Sequence, residues 1–258
     1  MKEFVFVAFL FFVTEACSQE TEDHPRYIAH ADISATNTAI TIHASNSRPV
    51  EQAFAGIRRK YGLVLDYEEG QERDESKFIT YRGMKTLKGA DITLHVPPPR
   101  DSTYDSRRGF VESVLAGFNS AGAGSFSLLR GPGERMNVAP EDPALRILDT
   151  KITLAVRSRT IDDTIDEIYS ALKLKVGVEI ARGGLADGAT HATVVTVGTD
   201  ATPVAARDLI TRTLSALQYS NFWILTWEPQ TQSYAMLFQP AVWVDETSQR
   251  EVFIKNAP

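Results

Sequence analysis

From Arg48 to Glu68 (RPVEQAFAGIRRKYGLVLDYE) the apolar positions first recur at helical spacing and then alternate. Val50, Ala53, Phe54, Ile57 and Tyr61 share one stripe, with Glu51, Arg58, Arg59 and Lys60 off it; this predicts an amphipathic helix with one buried face. Pro49 suits the first helical position and Gly62 the position just past the end. Leu63, Leu65 and Tyr67 then alternate with their neighbours, as in a half-buried strand. A second strand is predicted before the helix, where Ile40 and Ile42 alternate with Thr41 and His43.

The same strand-helix-strand pattern returns at Arg159 to Glu179 (RTIDDTIDEIYSALKLKVGVE), with ITLAV as its leading strand. Thr160 is a good N-cap with Asp163 three positions on, close to a capping box. Ile161, Ile165, Ile168 and Leu172 form the stripe, and Leu174, Val176 and Val178 alternate afterwards.

A second pattern is also written twice. ADITLHV precedes a helix carrying Phe110, Val111, Val114, Leu115 and Phe118, and FSLLRGPGERMNV follows as a hairpin around Gly-Pro-Gly. Its counterpart is ATVVTV, then a helix with Leu209, Ile210, Thr213, Leu214 and Leu217, then FWILTWEPQTQSYAMLF. A lone strand-helix-strand cannot cover its helix stripe, whereas one of each pattern gives enough chain for a core. The expected fold is therefore α+β: two tandem homologous domains, each a strand-helix-strand plus a strand-helix-hairpin, each closing its own core with two helices on a small mixed sheet. The expected boundaries are 33–140 and 149–244, with a linker at 141–148 and a C-terminal tail at 245–258.

The N-terminus changes the picture of location. MKEFVFVAFLFFVTEAC opens with one Lys, runs apolar from Phe4 to Val13 and then turns small and polar. Ten helical residues reach about 15 Å, half the hydrocarbon thickness of a bilayer. Residues 1–16 thus read as a signal peptide, and 17–32, polar and aperiodic, as a flexible tether. Cys17 occupies the place of a lipoprotein attachment site, where acyl chains would anchor the mature chain. Thr14 and Glu15 depart from that pattern, and ordinary cleavage after Ala16 or Ser18 stays open. Either route predicts an exported protein, periplasmic or anchored to the membrane through lipid.

Composition narrows the partners. The 258 residues carry a net charge of −6 with no basic stripe, so the electrostatic footprint of a nucleic-acid binder is missing. An acidic chain is repelled by anionic membrane surfaces, which leaves lipidation as the expected membrane contact. With Cys17 as the one cysteine, no internal disulfide forms.

Little catalytic chemistry stands out. No G-x-S-x-G elbow occurs, and AGAGS around Gly122 lacks the strand-to-helix context of a phosphate cradle. His43 and His95 lie on predicted strands and could approach one another, but no metal-ligand spacing accompanies them. Asp162, Asp163, Asp166 and Glu167 crowd a first helical turn, which favours the helix dipole. No cofactor, metal site or catalytic residue is expected. The aromatic C-terminal hairpin offers more. Trp223, Leu225 and Trp227 point opposite to Phe222 and Ile224. That second face either packs against the other half or the tail, or is exposed as a protein-binding patch built on Trp223, Trp227 and Tyr234.

In element order the chain resembles the short N-terminal domain shared by secretins and TonB-dependent outer-membrane receptors, once per half. In the first half the match runs ITIHAS, PVEQAFAGIRRKYGL, VLDYE, the TYRGMKTLKG link, DITLHV, RRGFVESVLAGF and FSLLRGPGERMNV. The first half departs by an inserted acidic loop, EEGQERDES, and the second by a shorter link, RGGLADGAT. The resemblance implies a non-enzymatic docking or assembly role toward an envelope protein. The alternative expectation is a binding protein for a small ligand or cell-wall fragment held between the domains.

Overall fold

The computed structural model describes residues 31–185, 189–245, 247–248 and 250–256. The signal peptide, Cys17 and nearly all of the tether lie outside the described residues.

The first half begins with β1 (Asp32–Ala35) and β2 (Ile40–Asn46), then α1 (Pro49–Tyr61) and β3 (Leu65–Glu68). After the acidic loop comes a hairpin, β4 (Phe78–Tyr81) and β5 (Met84–Leu87), the second strand of which lies in the link. Then come β6 (Ala90–Val96), α2 (Tyr104–Ser120), β7 (Phe126–Arg130) and β8 (Met136–Pro140). The segment expected as a linker holds two 3-10 turns, Pro143–Leu145 and Ile147–Asp149, and its Leu148 is fully buried.

The second half holds β9 (Lys151–Ile152), β10 (Arg157–Thr160), α3 (Ile161–Val176), β11 (Ile180–Leu185) and α4 (Ala189–Ala192). It continues with β12 (Val194–Val197), β13 (Val204–Ala205), α5 (Ala206–Leu214), β14 (Asn221–Glu228) and β15 (Ser233–Pro240). A last hairpin, β16 (Val242–Asp245) and β17 (Arg250–Phe253), crosses the expected boundary: β16 closes the second half and β17 falls in the expected tail.

The fold is α+β, as the two hydrophobic periods predict. Local signals work where expected. Gly62 ends α1 in the left-handed region as expected, φ 62°, and Gly177, where a strand is expected, ends α3 in the same way, φ 71°; glycine adopts this conformation without a Cβ penalty. Thr160 Oγ1 accepts from the Asp163 N–H at 3.1 Å as an N-cap. Two expectations fail locally. α5 ends at Leu214, short of Leu217 on the expected stripe. The alternation of Leu174, Val176 and Val178 is not a strand, because α3 continues through Val176 and β11 starts at Ile180. Leu174 is 89% exposed at the helix end.

Both halves repeat one strand order. In the first, β3 runs parallel to β8, which is antiparallel to β7; in the second, β11 runs parallel to β15, which is antiparallel to β14. The halves nevertheless do not close separately. β14 pairs in parallel with β3, and the result is a six-stranded sheet in the order β11-β15-β14-β3-β8-β7. Ile224 stands opposite Tyr67 across this seam, which puts them on one face. That face meets the apolar cluster of α1 and α2, where Phe222 and Ile224 join Phe54, Ile57, Leu65, Tyr67, Val114 and Phe118. The opposite face of the second half meets α3 and α5, where Trp223, Leu225 and Trp227 join Ile165, Ile168 and Leu209. The four helix residues that the stripes predict as innermost, Phe54, Ile57, Ile165 and Ile168, are all at 0% exposure. Helices therefore cover one face of the sheet in the first half and the other face in the second, and β14 belongs to both cores.

Candidate functional site

The aromatic residues expected as a surface patch are interior. Trp223 and Trp227 lie on β14 and Tyr234 on β15, at 0%, 3% and 1% exposure. Trp227 and Tyr234 meet edge to face at 5.0 Å. The patch reading of Trp223, Trp227 and Tyr234 is thereby corrected. β14 has a strand on each side and helices over both faces, so neither face reaches solvent. Burying such rings is worth several kcal/mol, and the sheet supplies the cover.

The histidines do not converge. His43 Nε2 contacts Asp91 Oδ1 at 2.7 Å and His95 Nδ1 contacts Thr41 Oγ1 at 3.0 Å, both in the exposed face of the β1-β2-β6 sheet. Among the described residues no group of three or more His, Cys, Asp or Glu could hold a metal ion. Asp162 at the start of α3 pairs with Arg182 and His191, a contact between helix α3, strand β11 and α4. None of the described helices is long and apolar enough to cross a membrane.

The seam carries chemistry that the periodicity hides. Opposite Leu65 and Tyr67 on β3 stand Asp66 and Glu68, both at 0% exposure. Asp66 Oδ1 accepts from Arg135 at 2.7 Å and from the Trp223 N–H at 3.0 Å, while Arg135 donates to the Asn221 carbonyl at 2.6 Å. At the other end Glu69 Oε2 accepts from the Trp227 N–H at 2.8 Å and from Arg48 at 3.0 Å, and Arg48 donates to the Trp227 carbonyl at 2.5 Å. The backbone contribution is short and includes the Glu69 N–H on the Leu225 carbonyl at 2.8 Å. Carboxylates and guanidinia thus continue the ladder where β3 runs out, satisfying β14 groups that would otherwise be buried without partners.

Glu68 ties in the connecting segment. Its Oε1 accepts from the Leu148 N–H at 2.9 Å and its Oε2 from Arg207 at 2.7 Å, while Arg207 also donates to Asp149 at 2.6 Å. Burial pushes the Glu68 carboxyl up to about 7; Arg207 and the Leu148 N–H oppose the rise and Asp149 adds to it. Asp66 is raised by burial against the pull of Arg135. Burial works against the Arg48 charge, but Glu69 and Glu228 outweigh it and hold Arg48 above its ordinary value. Beneath the first core, Glu51 and Arg58 form a buried pair at 3.1 Å, and the Arg58 guanidinium lies 4.3 Å over the Phe222 ring. The sequence pattern gives Asp66, Glu68 and Arg135 no distinguishing mark: a charged residue between apolar ones on a short strand reads equally well as a solvated face.

Hollows within the first half and between the halves could take a ligand. A cleft of about 730 Å3 lies within the first half, lined in part by Arg48, Tyr67, Glu69, Lys77, Lys88 and Phe126. The Gly122–Ser125 turn after α2 forms one side, where Gly122 and Gly124 have positive φ; this is the AGAGS stretch. A smaller hollow of about 380 Å3 lies between the halves, bounded by Gln71, Arg146, Val178 and Tyr234 among others.

The sheet ends at β7 and β11. The β7–β8 register, with the Gly131 N–H on the Arg135 carbonyl and the Glu141 N–H on the Ser125 carbonyl, turns odd-numbered β7 residues inward. Phe126, Leu128 and Arg130 therefore direct their backbone groups away from the sheet. The Asn119 side chain accepts from the Phe126 N–H at 3.0 Å and donates to its carbonyl at 2.8 Å, filling that position as one residue of a neighbouring strand would. Among the described residues, no strand pairs with Leu128 and Arg130 on that side.

Comparison of the chain with known protein families, with curated proteins and with solved structures finds no match.

Proposed function

We propose that this chain is an exported, non-enzymatic docking module of a bacterial envelope, which receives a partner strand at the edge of β7. The observation that carries the reading is that edge: a half-buried strand of the central sheet with outward backbone groups at Leu128 and Arg130. Unpaired edges template strand addition, with main-chain bonds giving affinity and alternate side chains giving selectivity. The signal-like N-terminus and the resemblance to envelope docking domains support an activity outside the cytoplasmic membrane, with or without acyl chains on Cys17. The test is a photo-crosslinking residue at Arg130, which is exposed, in cells of the native host. A discrete adduct that disappears when proline at Leu128 removes that outward N–H supports docking. No adduct of any kind, from protein of unchanged thermal stability, sinks it.

A second reading rests on the 730 Å3 cleft, which falls in the size range of small-ligand sites. It would take a small ligand or cell-wall fragment within the first half rather than between the halves. Titrating soluble peptidoglycan fragments should then raise the melting temperature saturably, and a flat response sets the reading aside.

A further inference from the structure

We infer that the occupant of the β7 edge is a second copy of this chain, whose β11 adds parallel to β7 and repeats the β14–β3 seam head to tail. The inference rests on the docking reading and names its partner. The two halves share one strand order, in which β7 corresponds to β14 and β11 to β3. The seam inside the chain joins a β14-type edge to a β3-type edge, and the two edges left over are again one of each type. They are complementary, not identical, so their joining is heterologous.

The residues agree with this pairing. The Tyr234 N–H on the Glu179 carbonyl, with the parallel β11–β15 register, turns the backbone groups of Ile180 and Arg182 outward. Among the described residues no strand covers them. They can meet Leu128 and Arg130 as the outward groups of β3 meet β14. Ile224 enters the core of the other half from the face of β14 turned away from its own helices. Leu129 sits on the corresponding face of β7; it is half-buried and belongs to neither apolar cluster. In the joint it would enter the second core of the neighbouring copy. β11 carries Ala181 and Gly183 where β3 carries Asp66 and Glu68, so this joint lacks the buried carboxylates. It is expected to be weaker than the seam and reversible.

The experiment mixes isotopically light full-length chain with heavy chain carrying the crosslinker at Arg130. The expected adduct joins a heavy chain to a light one and maps to residues 180–185. Sedimentation then tests the geometry. The mass of the wild type should rise with concentration, while Arg130→Pro and Arg182→Pro should each lower association at least tenfold. An equimolar mixture of the two variants should restore a dimer and nothing larger, because one intact edge of each type remains. Arg182→Ala, which loses the Asp162 contact but keeps the N–H, should associate like the wild type. A dimer formed by Arg130→Pro alone overturns the inference, as does an adduct that maps elsewhere on the chain. A wild type that stays monomeric to its solubility limit, with a crosslink to a different envelope protein, overturns self-assembly and leaves docking standing. No adduct at all removes both.

Discussion

The hairpins β7–β8 and β14–β15 hold the same place in the strand order of their halves, yet they end in opposite situations. Seven of the eight residues of β14 are buried, whereas β7 is half-buried throughout and exposed at Arg130. NFWILTWE is apolar on both faces; FSLLR is not. A strand that is apolar on both faces needs cover on both, and β14 obtains it by pairing with β3 of the other half while staying paired with β15. β7 has one core to serve and stays at the edge, where Asn119 occupies part of its ladder. The difference between an interior and an edge strand here lies in four or five side chains, not in topology.

The contrast can be broken most severely at Trp223. Trp223→Ala should cost about 4 kcal/mol in denaturant unfolding, as expected for removing a fully buried ring, while Leu129→Ala on β7 should cost less than about 1 kcal/mol. Equal losses would mean that β7 is as enclosed as β14. Next comes the seam. Arg135→Met leaves Asp66 buried without its cation and should cost about 3 kcal/mol, whereas Asp66→Leu combined with Arg135→Met should recover most of that. A double variant no better than the single one would show that the Trp223 N–H, not the ion pair, dominates.

The pH dependence should follow Glu68. Its folded value of about 7 lies above the ordinary 4.5, so the folded chain binds more protons in that interval than the unfolded one. The contribution is complete below pH 4.5 and is lost as pH rises through about 7, on the order of 3 kcal/mol. Asp66 and Glu51, raised in the same direction, add to the slope. Glu68→Gln should flatten it in a urea series from pH 4 to 8; an unchanged slope would assign the titration to the other two. The smallest effect is expected at the edge. Asn119→Ala removes two hydrogen bonds from Phe126 and should cost about 1 kcal/mol, while lengthening the free edge and raising the extent of self-association in sedimentation. A loss of association instead would make Asn119 part of the joint.

The helices were largely legible in the sequence because their signals are local. The stripes of α1 and α3, the glycine that ends α1 and the Thr160 cap each act within a few residues, and the structure keeps all of them. The second face of β14 was legible as apolar, but its cover was not. Trp223 and Trp227 look the same in sequence whether they pack on a neighbour or await a partner. Leu174 and Val176 fit a strand as well as a helix end, and the downstream Gly177 decided between them.

By itself the sequence determined most of the helices and strands, the twofold repetition of pattern and the apolar helix stripes, since these follow from side-chain spacing and near-neighbour sterics. Tertiary structure alone decided that β14 pairs with β3, that helices of the two halves cover opposite faces of one sheet, and that Asp66, Glu68, Arg135 and Arg207 meet in the interior. Those outcomes depend on backbone groups and charges far apart in the chain finding partners away from water, and no local pattern records where such partners lie.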